Sequence, residues 1–143
     1  MKESVVNGIG CLLGQEEIVP SRKTIVFVHG AGGNHKMWSS QVEHLSKCCN
    51  TVAINLPGHG LGRDKGETTI GGYVNAVVEL IDGLGLKKIV LGGQSMGGAI
   101  AQEFALTYPQ RMLAIILFST GARLRVLPQI FDSVKNKNIK EVY

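Results

Sequence analysis

At 143 residues the chain is long enough for one domain with its own core and too short for two. Its 44 % hydrophobic and 18 % charged residues are ordinary for a globular protein, and no apolar run reaches the length of a membrane-spanning helix. The net charge of +4 forms no basic stripe, so nucleic-acid binding is not expected.

Residues 4–6 and 9–13 flank Asn7-Gly8, the strongest short signal for a hairpin. Asn7 and Gly8 also break the first apolar segment too early for a signal peptide. A charged connector, residues 15–23 with Pro20, leads to an apolar run at 24–29 that does not alternate. It therefore predicts a strand buried on both faces, ended by the turn Gly30-Ala31-Gly32-Gly33. Trp38, Val42 and Leu45 have helical spacing within residues 37–48. The next strand, 51–55, stops at Leu56-Pro57-Gly58-His59-Gly60 and is followed by a polar loop, 61–68.

The clearest helix carries Ile70, Tyr73, Val74, Val77, Ile81 and Leu84 on one face. Thr68 or Thr69 is its N-cap, and Gly83 and Gly85 end it. A third buried strand at 88–92 precedes a helix at 96–108, stopped by Pro109, and residues 112–118 form another strand. Beyond Thr120 the pattern predicts an amphipathic helix around 127–134 and a polar end bearing Lys135, Lys137 and Lys140. Alternating strands and helices imply an α/β fold: a mostly parallel sheet with helices on both faces.

Cys11, Cys48 and Cys49 form an odd set without a framework spacing, which points to a reducing compartment and a cytoplasmic protein. No CxxC pair suggests a metal site. No G-x-G-x-x-G follows a strand and no Walker-type lysine follows a glycine loop, so neither a cofactor nor a nucleotide is expected.

Gly93-Gln94-Ser95-Met96-Gly97 matches G-x-S-x-G with a strand before it and a helix after it. Such a sharp turn forces the serine to positive φ, and side chains two residues to either side would collide with it. The hydroxyl then stands at a helix N-terminus, where free N–H groups favour developing negative charge. On its own this motif is equally compatible with a tight turn and a serine N-cap. The segments His29-Gly30-Ala31-Gly32-Gly33 and Leu56-Pro57-Gly58-His59-Gly60, each after an earlier buried strand, add specificity.

With these three motifs the chain resembles the N-terminal half of an α/β-hydrolase over about residues 24–119. The branch is that of esterases, enol-lactonases, monoacylglycerol lipases and cofactor-free haloperoxidases. The resemblance implies a truncated hydrolase core (an N-terminal hairpin plus about four parallel strands) at residues 1–121, with the start of a cap at 122–143. It implies Ser95 as nucleophile, Gly93 and Gly97 as the elbow glycines, and the backbone N–H groups of Ala31 and Met96 as the oxyanion hole. The substrate would be a small-molecule carboxylic ester or lactone. His29 and His59 would brace turns, and Asn55 stands where the family usually has an acid.

The family's triad runs Ser, then Asp or Glu, then His. After Ser95 the acids are Glu103, Asp132 and Glu141, and no histidine follows. His35, read as an exposed loop residue, is the upstream candidate nearest the site. The expectation is that the acid and histidine lie beyond Tyr143, leaving the strand at 112–118 as an apolar edge open to self-association. A non-catalytic interaction protein built on the same half-fold is the alternative.

Overall fold

The computed structural model describes residues 1–123 and Pro128. Apart from Pro128, the helix expected around 127–134 lies outside the described residues, as do the lysines beyond it and nearly all of the expected cap segment.

Asn7 (φ 51°) and Gly8 (φ 79°) both occupy the left-handed region that a two-residue hairpin requires. They join β1 (Lys2–Val6) to β2 (Ile9–Leu13), with Val6 opposite Ile9. The hairpin docks antiparallel on β4 (Asn50–Asn55) through β2. Four parallel strands follow in space: β4, β3 (Thr24–Val28), β5 (Ile89–Gln94) and β6 (Met112–Phe118). The six-stranded sheet therefore has the order β1-β2-β4-β3-β5-β6.

Both faces of β3 are covered, as its unbroken apolar run requires. Val26 and Val28 enter one core with Val77, Leu80, Ile81, Leu91, Ile100 and Phe104. That core lies under α2 (Ile70–Gly83) and α3 (Met96–Thr107), and Phe104 is fully buried in it. Phe27 points the other way, into a smaller cluster with Leu12, Trp38, Val42 and Ala53 beneath α1 (Ser39–Leu45). There the Trp38 ring stacks on Phe27 at 4.9 Å and meets Phe118 at 5.2 Å.

Local capping sets the helix ends. The Thr69 hydroxyl accepts from Gly72 N–H at 3.0 Å, so Thr69, not Thr68, is the cap of α2. Gly85 (φ 67°) closes the helix, with its own N–H on Asp82 O and the Leu86 N–H on Ile81 O. This is the paired bonding of a left-handed C-terminal cap. The single helix expected at 37–48 is instead a 3₁₀ turn, His35–Trp38, followed by the shorter α1. Asn34 caps the 3₁₀ turn through Lys36 N–H, and the Leu45 carbonyl collects the N–H groups of both Cys48 and Cys49. No helix among the described residues is long and apolar enough to cross a membrane.

At the far edge, β6 pairs with β5 on one side. Leu113, Ile115, Ile116 and Leu117 are 36–46 % exposed, so this apolar strand is open among the described residues.

Candidate active site

The turns after β3, β4 and β5 all leave the C-terminal edge of the parallel strands, the edge where open α/β sheets gather functional groups. Because β3 lies between β4 and β5, the 30–33 turn is the immediate neighbour of the turn at Ser95.

Ser95 has φ 53° and ψ −116°, the positive φ expected of the sharp strand-to-helix turn. Its N–H donates to the Phe118 carbonyl at 3.1 Å. Although Ser95 is the N-cap of α3, its side chain makes no capping bond, so the hydroxyl is not consumed by the helix. A Cβ on Gly93 would run into the Gly97 carbonyl, and one on Gly97 into the carbonyls of Val28 and His29. Backbone packs against backbone on both sides of the serine.

The glycine turn reaches the serine directly: a Cβ on Gly30 would lie 3.2 Å from Ser95 Cβ and 2.5 Å from Gln94 Oε1. The Gly30 carbonyl accepts from Gly33 N–H at 3.1 Å and from His29 Nδ1–H at 2.7 Å, which holds the turn closed. Among the described residues the N–H groups of Ala31 and Met96 donate to no protein acceptor. The residues at 30–31 and 95–96 are thus brought together at adjacent strand ends.

His29 is fully buried and committed at both nitrogens. Nδ1–H donates to Gly30 O, and Nε2 accepts from Leu56 N–H at 3.1 Å. Burial drives its pKa down to about 4 against the opposing effect of the Gly30 bond, and nearby His59 and His35 push the same way. The ring is therefore a neutral strut between the turns after β3 and β4, the bracing role expected of it. His59 braces as well: its Nδ1 lies 3.0 Å from Pro57 O, and its ring sits 5.0 Å from His29 and 6.0 Å from Tyr73.

His35 corrects the sequence reading. Rather than an exposed loop residue it is buried, with Nε2 2.9 Å from Glu3 Oε1 and Nδ1 3.1 Å from Asn55 Oδ1. The Asn34 cap turns the chain so that the ring is pressed between the hairpin and the end of β4. His35 in turn holds the Glu3 carboxyl below its ordinary pKa. Asn55 is the hub there, with Nδ2 donating to His59 O at 3.0 Å and Leu61 O at 2.9 Å. An amide serves where the family usually has an acid because it supplies donors and an acceptor together.

Two features had no sequence signal. Asn50, at the start of β4, ties the 15–23 connector and Thr24 of β3 together: Oδ1 accepts from Gln15 Nε2 and Val19 N–H, and Nδ2 donates to Val19 O, Arg22 O and Thr24 Oγ1. Thr120 donates through Oγ1 to the Ser95 carbonyl at 2.9 Å. Among the described residues no cluster of three or more His, Cys, Asp or Glu side chains is arranged to hold a metal.

A family profile described as alpha/beta hydrolase fold matches residues 23–139. A putative 2-succinyl-6-hydroxy-2,4-cyclohexadiene-1-carboxylate synthase of Bacillus subtilis is 36 % identical over 110 residues, covering 73 % of this chain and 39 % of that protein. Among solved structures, the enol-lactonase of Burkholderia xenovorans superposes with a TM-score of 0.80 at 24 % identity, over 99 % of this chain and 56 % of that one. A thermophilic esterase of Thermogutta terrifontis gives 0.76 at 26 % identity, over 97 % and 53 %. The chain spans 24–39 % of the length of the curated relatives it matches and about half of those structures.

Proposed function

The chain belongs to the alpha/beta hydrolase fold family, and we propose that it carries the nucleophile and oxyanion hole of a serine hydrolase acting on carboxylic esters or lactones. In this reading Ser95 Oγ gives up its proton and attacks the acyl carbonyl, and the N–H groups of Ala31 and Met96 hold the oxyanion. Collapse of the oxyanion breaks the ester C–O bond, so that the alcohol leaves with a proton. Gly93 and Gly97 allow the turn, and water releases the acyl group from Ser95. The observation that carries the reading is the positive φ of Ser95 beside the Gly30 turn, with a hydroxyl the helix does not use. Losing one oxyanion donor costs a hydrolase roughly 2.7–4 kcal/mol of transition-state stabilisation. The substrate class is taken from the resemblance and from neighbours such as the esterase of T. terrifontis.

A serine needs a base to attack efficiently. No histidine follows Ser95 in the sequence; His29, His35 and His59 are bonded elsewhere and His44 lies exposed on α1. We therefore expect slow turnover from these 143 residues alone, since loss of the histidine in a serine protease removes about a millionfold. Hydrolysis of p-nitrophenyl acetate tests this: the expected rate is close to background. Fast hydrolysis abolished by Ser95→Ala would show that a base is present after all.

The apolar β6, open among the described residues, favours one second reading, a non-catalytic interaction protein that associates through this edge. A stable oligomer that leaves p-nitrophenyl acetate and phosphonate probes untouched would support it. In either reading a cytoplasmic protein is proposed, consistent with the free thiols Cys11, Cys48 and Cys49.

A further inference from the structure

A peptide group is rigid and planar, so holding its carbonyl at one end aims its N–H at the other. The group joining Ser95 to Met96 presents its N–H to the proposed oxyanion hole. Its carbonyl accepts three hydrogen bonds: from Gly98 N–H at 2.9 Å, Ala99 N–H at 3.3 Å and Thr120 Oγ1 at 2.9 Å. The first two belong to the opening turn of α3. The third comes from the segment after β6, which the left-handed kink at Ser119 (φ 45°) turns back toward the elbow. Hydrogen bonding at a carbonyl also polarises the amide and strengthens its N–H as a donor.

We infer that Thr120 is a positioning residue for the oxyanion hole: its hydroxyl fixes the Ser95–Met96 peptide plane so that Met96 N–H faces the developing oxyanion. The inference rests on the roles proposed above for Ser95 and Met96. Two independent features support it. A Cβ on Gly98 would fall on the Thr120 side chain, 2.6 Å from its Cβ, so this hydroxyl reaches Ser95 O only because α3 carries no side chain there. Glycine is otherwise a poor choice inside a helix. Gln102 Nε2 also donates to Gly121 O at 3.4 Å and to Gly98 O at 3.1 Å, clipping the same segment to the same turn of α3. The segment after β6 therefore shapes the hole from behind the elbow.

Three variants of the full chain test this. Thr120→Val replaces the hydroxyl by a methyl of the same shape, Thr120→Ser keeps the hydroxyl, and Gly98→Ala displaces Thr120 while leaving it in the sequence. The first readout is the Met96 amide resonance in ¹⁵N spectra. It should move in the same direction in Thr120→Val and Gly98→Ala and stay at the wild-type position in Thr120→Ser. The second is the rate at which a fluorophosphonate modifies Ser95. It should fall about tenfold in the first two variants, the scale of one hydrogen bond, and remain within about twofold in Thr120→Ser.

A wild-type rate and an unmoved Met96 resonance in folded Thr120→Val would overturn the inference while leaving Ser95 as nucleophile. Should Thr120→Val not fold, Gly98→Ala read against Thr120→Ser decides by the same criteria. If wild-type Ser95 is never modified, the proposed function fails. The Met96 resonance then judges the peptide orientation alone: a common shift supports it and its absence refutes it.

Discussion

The buried neutral His29 makes a quantitative forecast about acid stability. Its Nε2 accepts a hydrogen bond from Leu56 N–H at 3.1 Å, so protonation would set two donors against each other inside the core. The folded pKa of about 4 lies well below the ordinary 6.5, so on acidification the unfolded chain takes the proton first. By linkage, stability is flat above about pH 6.5, falls between about 6.5 and 4, and levels off below the folded pKa. At about 1.4 kcal/mol per pH unit over that interval, the loss is about 3 kcal/mol. This is a large share of the ~5–15 kcal/mol that holds a domain folded. Urea unfolding of wild type and His29→Gln, from pH 7.5 to 4, measures it; the other titrating groups are common to both proteins and largely cancel. The wild type should lose about 3 kcal/mol more than the variant across this range. A difference that is flat with pH would show that His29 is not a neutral strut and would refute the reasoning.

Gly97→Ala sets a methyl against the Val28 and His29 carbonyls and should destabilise by about 1–3 kcal/mol in urea. The same variant should suppress phosphonate labelling, because the elbow must open to admit the methyl. Asn50→Ala strands the partners of this buried β4 amide, in the 15–23 connector and at Thr24, and should cost about 2–4 kcal/mol by the same assay. Phe104→Ala empties the core between α3 and the sheet; a loss of about 3–5 kcal/mol in thermal or urea melts is expected.

Much of the scaffold is legible locally. The apolar run at 24–29 marks a strand because a parallel sheet buries both its faces, whereas the run at 112–118 is a strand whose apolar side chains lie open among the described residues. Asn7-Gly8 marks the hairpin because few other residue pairs tolerate its backbone. The positive φ of Ser95 was readable from glycines two residues away; the collision Gly93 avoids, with the Gly97 carbonyl, is local, whereas Gly97 makes room for the distant Val28 and His29 carbonyls. What escaped the sequence depends on residues far apart in the chain. His35 is buried by Glu3, 32 positions earlier, and by Asn55, 20 positions later. Thr120 reaches Ser95 across 25 positions through a kink at Ser119, and no periodicity announces such a bond. The shortening of α1 had a partial signal in Asn34, a good cap residue placed too early for the predicted helix.

The account stands most directly on the reactivity of one hydroxyl. Incubating the 143-residue chain with a fluorophosphonate and mapping the adduct by peptide mass spectrometry reads it without requiring turnover. A slow, single modification on Ser95, absent from Ser95→Ala, is the predicted result. An unmodified Ser95, or labelling spread equally over other hydroxyls, would contradict it.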